Sequence, residues 1–138
     1  MAWVRVRRPL QEVLVEYIKA SPQLRLIGTP STGVWDRVAQ VSFLHTKLGA
    51  SEVVAQLNKA GICCRNGQPP RFAIQTNRVH SHRSMLVCAG HMFAYRCADV
   101  LPDVGTGVED GCVRMSLTHY NTPEECERCI AAIESLVF

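Results

Sequence analysis

The stretch Cys112–Glu125, CVRMSLTHYNTPEE, joins a strand pattern directly to a strongly marked helix start. Its first residues are apolar or small, which predicts a β-strand, but Arg114 stands among them. An arginine in a strand that faces a half-buried surface is costly unless an anion or a carboxylate meets its guanidinium. We therefore expect Arg114 to bind an anionic group.

The second half of the stretch carries three helix-start signals. Thr122 is a predicted N-cap, Pro123 takes the first helical position, and Glu125, three residues after the cap, completes a capping box. The residues that follow at helical spacing predict the inner face of this helix: Cys126, Cys129, Ile130, Ile133 and Val137. The stretch therefore predicts a strand that is followed closely by an amphipathic helix.

Two further helices are predicted upstream of this stretch. The first spans Pro9–Ala20 and has a buried stripe formed by Leu10, Val13, Leu14, Tyr17 and Ile18. The second begins at an N-cap, Ser51, runs to Ala60 and stops at Gly61, with a stripe formed by Val53, Val54 and Leu57. A fourth helical pattern starts at about Gly90 and runs to Leu101.

Three strand patterns accompany these helices. They lie at Leu24–Ile27, at Val38–His45 and at Ile62–Arg65, and the second has the β-branched and aromatic content of a central strand. Residues 68–88 are polar, basic and too long for an ordinary connector, so we expect a partly mobile insertion there. The interleaved elements predict one α+β domain over residues 1–138. We expect a two-layer sandwich with a mainly antiparallel sheet of three to four strands and helices on one face.

Composition limits the environment of the chain. Its 138 residues suit one domain, the charged fraction is 20%, and no apolar run is long enough for a bilayer. The N-terminus lacks the apolar segment of a secretory signal. The seven cysteines lie mostly within predicted helices and strands, and not in the loop-rich segments of a disulfide-bonded secreted domain. We expect the cytoplasm or another reducing intracellular compartment.

Several motifs in sequence order resemble one family. They are Val41-Ser42-Phe43, Ala60-Gly61-Ile62 with Cys64-Arg65-Asn66-Gly67, Gly90-His91, Val113-Arg114-Met115-Ser116-Leu117, and His119-Tyr120-Asn121-Thr122-Pro123-Glu124-Glu125. This succession resembles the C-terminal small domain of class V aminotransferases, the pyridoxal-phosphate enzymes that include cysteine desulfurases and selenocysteine lyases. The resemblance covers nearly the whole chain apart from residues 68–88.

The resemblance implies roles for three residues. In this family the arginine of the final strand binds the α-carboxylate of an amino-acid substrate, so Arg114 takes that role, while Arg65 and His91 shape the mouth of the site. The open alternative is a structural Arg114 that pairs with Glu109, Asp110 or a helix end. The resemblance also implies a homodimer in the complete enzyme, and a separate large domain that binds pyridoxal phosphate.

Two departures from the family pattern bear on activity. Desulfurases with a mobile catalytic cysteine carry it two residues after the motif histidine, where this chain has Phe93. An aromatic residue there, with a histidine before the YNT motif, resembles a desulfurase-like branch of the family. Transfer chemistry is therefore favoured over desulfuration, which stays the alternative. None of Lys19, Lys47 and Lys59 has the setting of the family's Schiff-base lysine, so we expect the chain alone to be catalytically silent.

Three other functions stay open from the residues. Cys126 and Cys129 have metal-ligand spacing, as do Cys88 and His91, but the first pair lies on an apolar helical stripe, where cysteine acts as a small hydrophobe. A small α+β domain could also be a stand-alone ligand-binding or regulatory module. Nucleic-acid binding through the arginines of 68–88 is disfavoured, because Phe72 is the one aromatic residue there for base stacking. We expect no metal and no nucleic acid.

Overall fold

The computed structural model describes residues 2–33, 38–62, 64–66, 86–90 and 111–137. Three helices and five strands lie within these residues. In chain order they are α1 Ala2–Ala20, β1 Leu24–Ile27, β2 Gln40–His45, α2 Ala50–Lys59, β3 Cys64–Asn66, β4 Leu86–Gly90, β5 Cys112–Ser116 and α3 Pro123–Val137. Among these helices, none has the length and apolar content that a membrane crossing requires.

The five strands form one sheet in the order β1-β2-β5-β4-β3. The β1–β2, β2–β5 and β4–β5 pairs are antiparallel, and the β3–β4 pair is parallel. The predicted α+β class and mainly antiparallel sheet are confirmed. The sheet gains a strand over the expected count because Leu86–Gly90, a short apolar run, pairs with β5 instead of ending an insertion and opening a helix.

All three helices contribute to one hydrophobic core against the sheet. The fully buried residues include Leu14, Val15 and Ile18 of α1, Val53 and Leu57 of α2, Cys129 and Ile133 of α3, and Val41, Phe43, Val113 and Met115 of the sheet. A sheet residue and its second neighbour point to the same side, so the core residues of β2 and β5 define the helix-facing side of the sheet. The cysteines of α3 lie in this core, as their apolar stripe predicts.

Helix α1 differs from its prediction at both its start and its buried stripe. It begins at Ala2, and Pro9 lies inside it instead of in its first turn. Val13 is 49% exposed, whereas Val15 is fully buried. The stripe turns toward Val15 because Gln11 is also buried: its Nε2 donates to the carbonyl oxygen of Val38 at 2.7 Å.

Helix α2 also starts differently from its prediction. Its N-cap is Gly49, which provides no side-chain hydrogen bond, so the prediction of Ser51 as the cap is wrong. Its C-terminal end agrees with the prediction, since Gly61 has a φ of 77° and its N–H donates to Asn58 O. Ile62 N–H donates to Leu57 O, and both side chains are buried, which completes a Schellman motif.

Two predicted segments fall largely outside the described residues. The insertion at 68–88 stays a prediction, although its last three positions belong to β4. The helix expected from about Gly90 to Leu101 also lies outside the described residues, except that Gly90 itself ends β4.

The start of α3 confirms the predicted capping box. Thr122 Oγ1 accepts from Glu125 N–H at 3.4 Å, and Glu125 Oε2 accepts from Thr122 N–H at 3.1 Å. Asn121, which is 5% exposed, links this capping box to the residues that precede it in the chain. Its Nδ2 donates to Glu125 Oε2 at 2.9 Å, and its Oδ1 accepts from the N–H and the hydroxyl of Thr118 at 2.7 and 2.8 Å. Asn121 therefore ties the exit of β5 to the first turn of α3.

Replacement of Val15 by alanine should lower the free energy of unfolding by about 2 kcal/mol, because it removes two buried methyl groups and leaves a cavity. Val13→Ala is the matched control two residues away on the same helix, and its effect should stay within about 0.5 kcal/mol. Urea denaturation followed by circular dichroism measures both. Equal losses would contradict the observed orientation of α1.

Asn121→Asp should cost about 2 kcal/mol, because it exchanges a buried donor for a carboxylate that faces Glu125. Adding Glu125→Gln should recover about half of that loss, since the glutamine amide can donate to the new carboxylate. Glu127→Gln, at an exposed position of α3, is the control for removal of a charge. The same denaturation measurement applies, and additive losses in the double variant would refute the Asn121–Glu125 contact.

Candidate functional site

Arg114 lies on the side of the sheet that faces away from the helices. Its neighbours Val113 and Met115 are fully buried, and Cys129 Sγ of α3 lies 3.6 Å from Met115 Sδ. Because side chains alternate along a strand, Arg114 points to the opposite side. We call this side the open face; β5 presents Cys112, Arg114 and Ser116 there, and all three are half-buried.

Strand register places Arg114 in a row that crosses the whole sheet. Ile27 pairs with Ser42, Ser42 with Arg114, Arg114 with Cys88, and Cys88 with Arg65. Adjacent strands are about 4.8 Å apart, so the backbones at Arg114 and Arg65 are separated by about 10 Å. The two arginines predicted to share a site thus occupy one cross-strand row.

The Nε atom of Arg114 is buried and has no hydrogen-bond partner among the described residues. The ion pairs found within those same residues, Arg8–Glu12 and Lys19–Glu16, both belong to α1. A buried N–H donor without an acceptor costs about 1–3 kcal/mol, and the cost is higher for a charged group such as a guanidinium. An anion that reaches the open face could remove this cost by accepting from Nε and a neighbouring guanidinium nitrogen.

Polar groups adjoin the arginine on this face. Ser42 is its cross-strand neighbour on β2, and it hydrogen-bonds the thiol of Cys112. Burial raises the pKa of the Cys112 thiol, while the charge of Arg114 and the bond to Ser42 act in the opposite direction. Cys112 is therefore a mainly neutral thiol beside the arginine, and it offers Arg114 no counter-charge at neutral pH.

The loop after β5 is anchored by the hydrogen bonds of Asn121 and presents two aromatic rings to solvent. The buried Asn121 side chain bonds Thr118 and Glu125, whereas His119 and Tyr120 are exposed. Their rings meet edge to face, with centroids 5.1 Å apart. This exposed pair follows the strand that carries Arg114.

The cysteine pair of α3 is placed for packing. Burial is the main cause that raises the pKa of Cys126 to about 11 and that of Cys129 to about 12. Thiolates are the metal-binding form of cysteine, so this environment opposes metal ligation. In the described part of the chain, no three histidine, cysteine or acidic side chains are grouped as metal ligands would be.

The three lysines of the chain are all described and all exposed. Lys19 and Lys59 lie on helices, and Lys47 lies in the turn between β2 and α2. A Schiff-base lysine needs a site that holds the cofactor and excludes water. None of the three positions fits that requirement, because each lysine is exposed on the surface of the domain, and the Lys19 ammonium is ion-paired with Glu16.

The remaining predicted site residues are only partly described. The backbone of Arg65 is described in β3, whereas His91, Phe93 and the possible arginine partners Glu109 and Asp110 lie outside the described residues. The sequence motifs contain Ser42 and Asn121, and the opening stretch begins at Cys112, but no individual role was predicted for these three residues. The alternation of β5 around Arg114 could have identified Cys112, and a polar Asn before the N-cap could have identified Asn121.

Comparison with known proteins gives a curated relative and matches among solved structures. Over 128 residues, or 93% of the chain, the sequence is 30% identical to the aminotransferase-like protein FGM3 of Gibberella zeae, of which it covers 26%. The structure matches the cysteine desulfurase CsdA of Escherichia coli with a TM-score of 0.61 and 17% identity, over 95% of this chain and 24% of that one. No protein-family model matches.

The chain thus spans about a quarter of the length of both proteins. The sequence match and the fold match both extend over more than nine-tenths of this chain. Together they confirm the resemblance predicted from the motifs: this chain is similar to the small domain of class V aminotransferases of the cysteine desulfurase type.

Proposed function

We propose that this chain is the C-terminal small domain of a pyridoxal-phosphate-dependent, class V aminotransferase-like enzyme, and that Arg114 binds the α-carboxylate of its amino-acid substrate. The observation that carries the proposal is the buried Nε of Arg114 on the open face, which has no hydrogen-bond partner among the described residues. The similarity to an aminotransferase-like protein supports the enzyme class.

Arg114 is suited to orientation as well as to attraction. A guanidinium offers two parallel N–H donors to the two oxygens of a carboxylate, so binding fixes the plane of the carboxylate. β5 is hydrogen-bonded on both sides, to β2 and to β4, which holds the backbone of Arg114 in place. A substrate held at its carboxylate from a central strand would present its α-carbon in a fixed direction.

Arg65 and His91 complete the proposed mouth of the site. Arg65 belongs to the cross-strand row of Arg114 and lies two strands away. A second cation at that distance would raise the local concentration of anionic substrates. His91 follows the last residue of β4, the strand between the two arginines.

The cofactor belongs to another part of the proposed enzyme. Pyridoxal phosphate supplies the electron sink for chemistry at the α-carbon of an amino acid. The three lysines of this chain are exposed and do not fit a Schiff base. A large domain, about three-quarters of the length of the relatives, would therefore supply the cofactor site. From the family resemblance alone, we also propose that the complete enzyme is a homodimer in a reducing intracellular compartment.

Transfer of the amino group is the proposed reaction class. Phe93 stands where the motif of cysteine-dependent desulfurases has its nucleophile, and a phenyl ring cannot accept sulfur. Removal of sulfur or selenium by the complete enzyme is the alternative. The two would differ in product, since transfer leaves a keto acid and desulfuration leaves alanine with the sulfur transferred elsewhere.

Arg114→Lys and Arg114→Gln should each weaken the binding of L-alanine to the chain by at least about tenfold, because neither side chain offers the two-point fork. Arg25→Gln is the matched control, since Arg25 lies on the open face in β1 and is exposed. Titration followed by NMR of the arginine Nε–H signals measures binding at the residue itself. Unchanged affinity in both Arg114 variants would refute the carboxylate role.

The chain mixed with pyridoxal phosphate and then treated with borohydride should yield no stoichiometric adduct at any single lysine. Exposed lysines have ordinary reactivity, so we expect low, scattered labelling comparable to that of an unstructured lysine peptide. Peptide mass spectrometry assigns the label to Lys19, Lys47 or Lys59. One adduct per chain at one lysine would show that the chain holds its own cofactor site.

A further inference from the structure

The turn between β2 and α2 is closed by a histidine side chain. His45 is the last residue of β2, and its Nδ1 accepts hydrogen bonds from the backbone N–H of Lys47 at 3.1 Å and of Leu48 at 3.0 Å. Aspartate and asparagine oxygens commonly accept from the backbone two residues on in such turns. Here an imidazole nitrogen does so, and an imidazole can be protonated near neutral pH.

These two bonds fix the protonation state of the ring. Since Nδ1 accepts, a neutral His45 must carry its proton on Nε2. That Nε2 atom is buried and has no partner within the described part of the chain. The turn therefore depends on the neutral tautomer with its proton on Nε2. In that tautomer the Nε2–H is a buried donor without an acceptor in the described part of the chain, which costs the folded state free energy.

The surroundings of the ring oppose its protonation. Burial is the main cause that lowers the pKa of His45 below its ordinary value, and the positive charge of Lys47 lowers it further. Glu52, in the first turn of α2, has the smaller opposite effect. Across the strand pair, the ring's residue faces Leu24 of β1, which is buried and uncharged.

We propose that His45 is an acid-sensitive latch that holds the β2–α2 turn closed at neutral pH and releases it on acidification. Protonation places a hydrogen on Nδ1, so the atom changes from an acceptor to a donor that confronts two N–H donors. Both hydrogen bonds are then lost. This proposal is carried by the turn geometry and is independent of the carboxylate site.

The sign of the pH dependence follows from the lowered pKa. In the unfolded chain the pKa of His45 is about 6.5, and in the folded chain it is lower. The latch therefore stabilises the fold fully above the unfolded value. Its contribution declines as pH falls through that value toward the folded pKa, because the unfolded state then binds more protons.

Release of the latch would act on a connected region. Thr46 N–H donates to Gln23 O beside β1, and Val53 N–H donates to Gly49 O at the start of α2. Leu48 packs against the core beside them. Acidification would thus loosen the N-terminal end of α2 while leaving the pairing of β2 with β5 in place.

Hydrogen exchange of the full chain, read at the Lys47 and Leu48 amides between about pH 7.5 and about pH 5.0, tests the latch. Protection relative to the intrinsic exchange rates should fall about tenfold in the wild type. His45→Asn is the matched control, because its side-chain oxygen can accept in the same turn and does not titrate in this range. Its protection should change by less than about twofold.

Direct titration of the ring keeps the test decisive if His45→Asn does not fold. In the wild type, the imidazole signals of His45 and the amide shifts of Lys47 and Leu48 should titrate with one common midpoint below about pH 6.5. Lys47→Ala should move that midpoint upward, since it removes the repelling charge. The proposal would be overturned if amide protection in the wild type did not change with pH, or if His45→Asn lost protection equally. It would also be overturned if the titration midpoint of the His45 ring differed from that of the Lys47 and Leu48 amides.

Discussion

The structure depends on the alternation of side chains along β5, the central strand of the sheet. Val113 and Met115 are fully buried in the core. Because side chains alternate along the strand, Arg114 lies on the opposite side of the sheet. Partners on both edges prevent the strand from slipping by one residue, because a slip would expose the core residues and bury the charge. The register that builds the core therefore also places Arg114 on the open face, where its buried Nε has no partner in the described part of the chain.

The exit from β5 reinforces this placement. Asn121 contacts Thr118 at the end of the strand and Glu125 in the first turn of α3, so strand and helix meet at a fixed geometry. α3 then returns across the core side of the sheet through Cys129 and Ile133. The helices lie on that side, which leaves the open face to other chain segments or to a ligand. In the proposed enzyme, the cofactor-binding large domain would lie against this face.

Features with local causes could be predicted from the sequence. The capping box of Thr122 and Glu125 and the stop at Gly61 depend on neighbouring backbone groups, and both were predicted correctly. The burial of Cys126, Cys129 and Ile133 in α3 follows from helical spacing, whereas Ile130 is only partly buried. The α+β class follows from the order of elements, and the motifs around Arg114 identified the relatives.

Features with non-local causes could not be predicted. The strand at Leu86–Gly90 forms because β5 and β3 are available on its two sides, which no local pattern shows. The burial of Val15 in place of Val13 depends on Gln11, whose partner Val38 is far away in the chain. Spacing could not place Arg65 and Arg114 in one row either, since that row depends on two strand registers.

The most direct test of the central claim is a crystal structure of the chain grown with saturating L-alanine. The amino-acid carboxylate should lie on the open face, with its two oxygens accepting from Nε and a second nitrogen of Arg114. An Arg114 guanidinium paired with a carboxylate of its own chain, such as Glu109 or Asp110, and no amino acid on that face would contradict it.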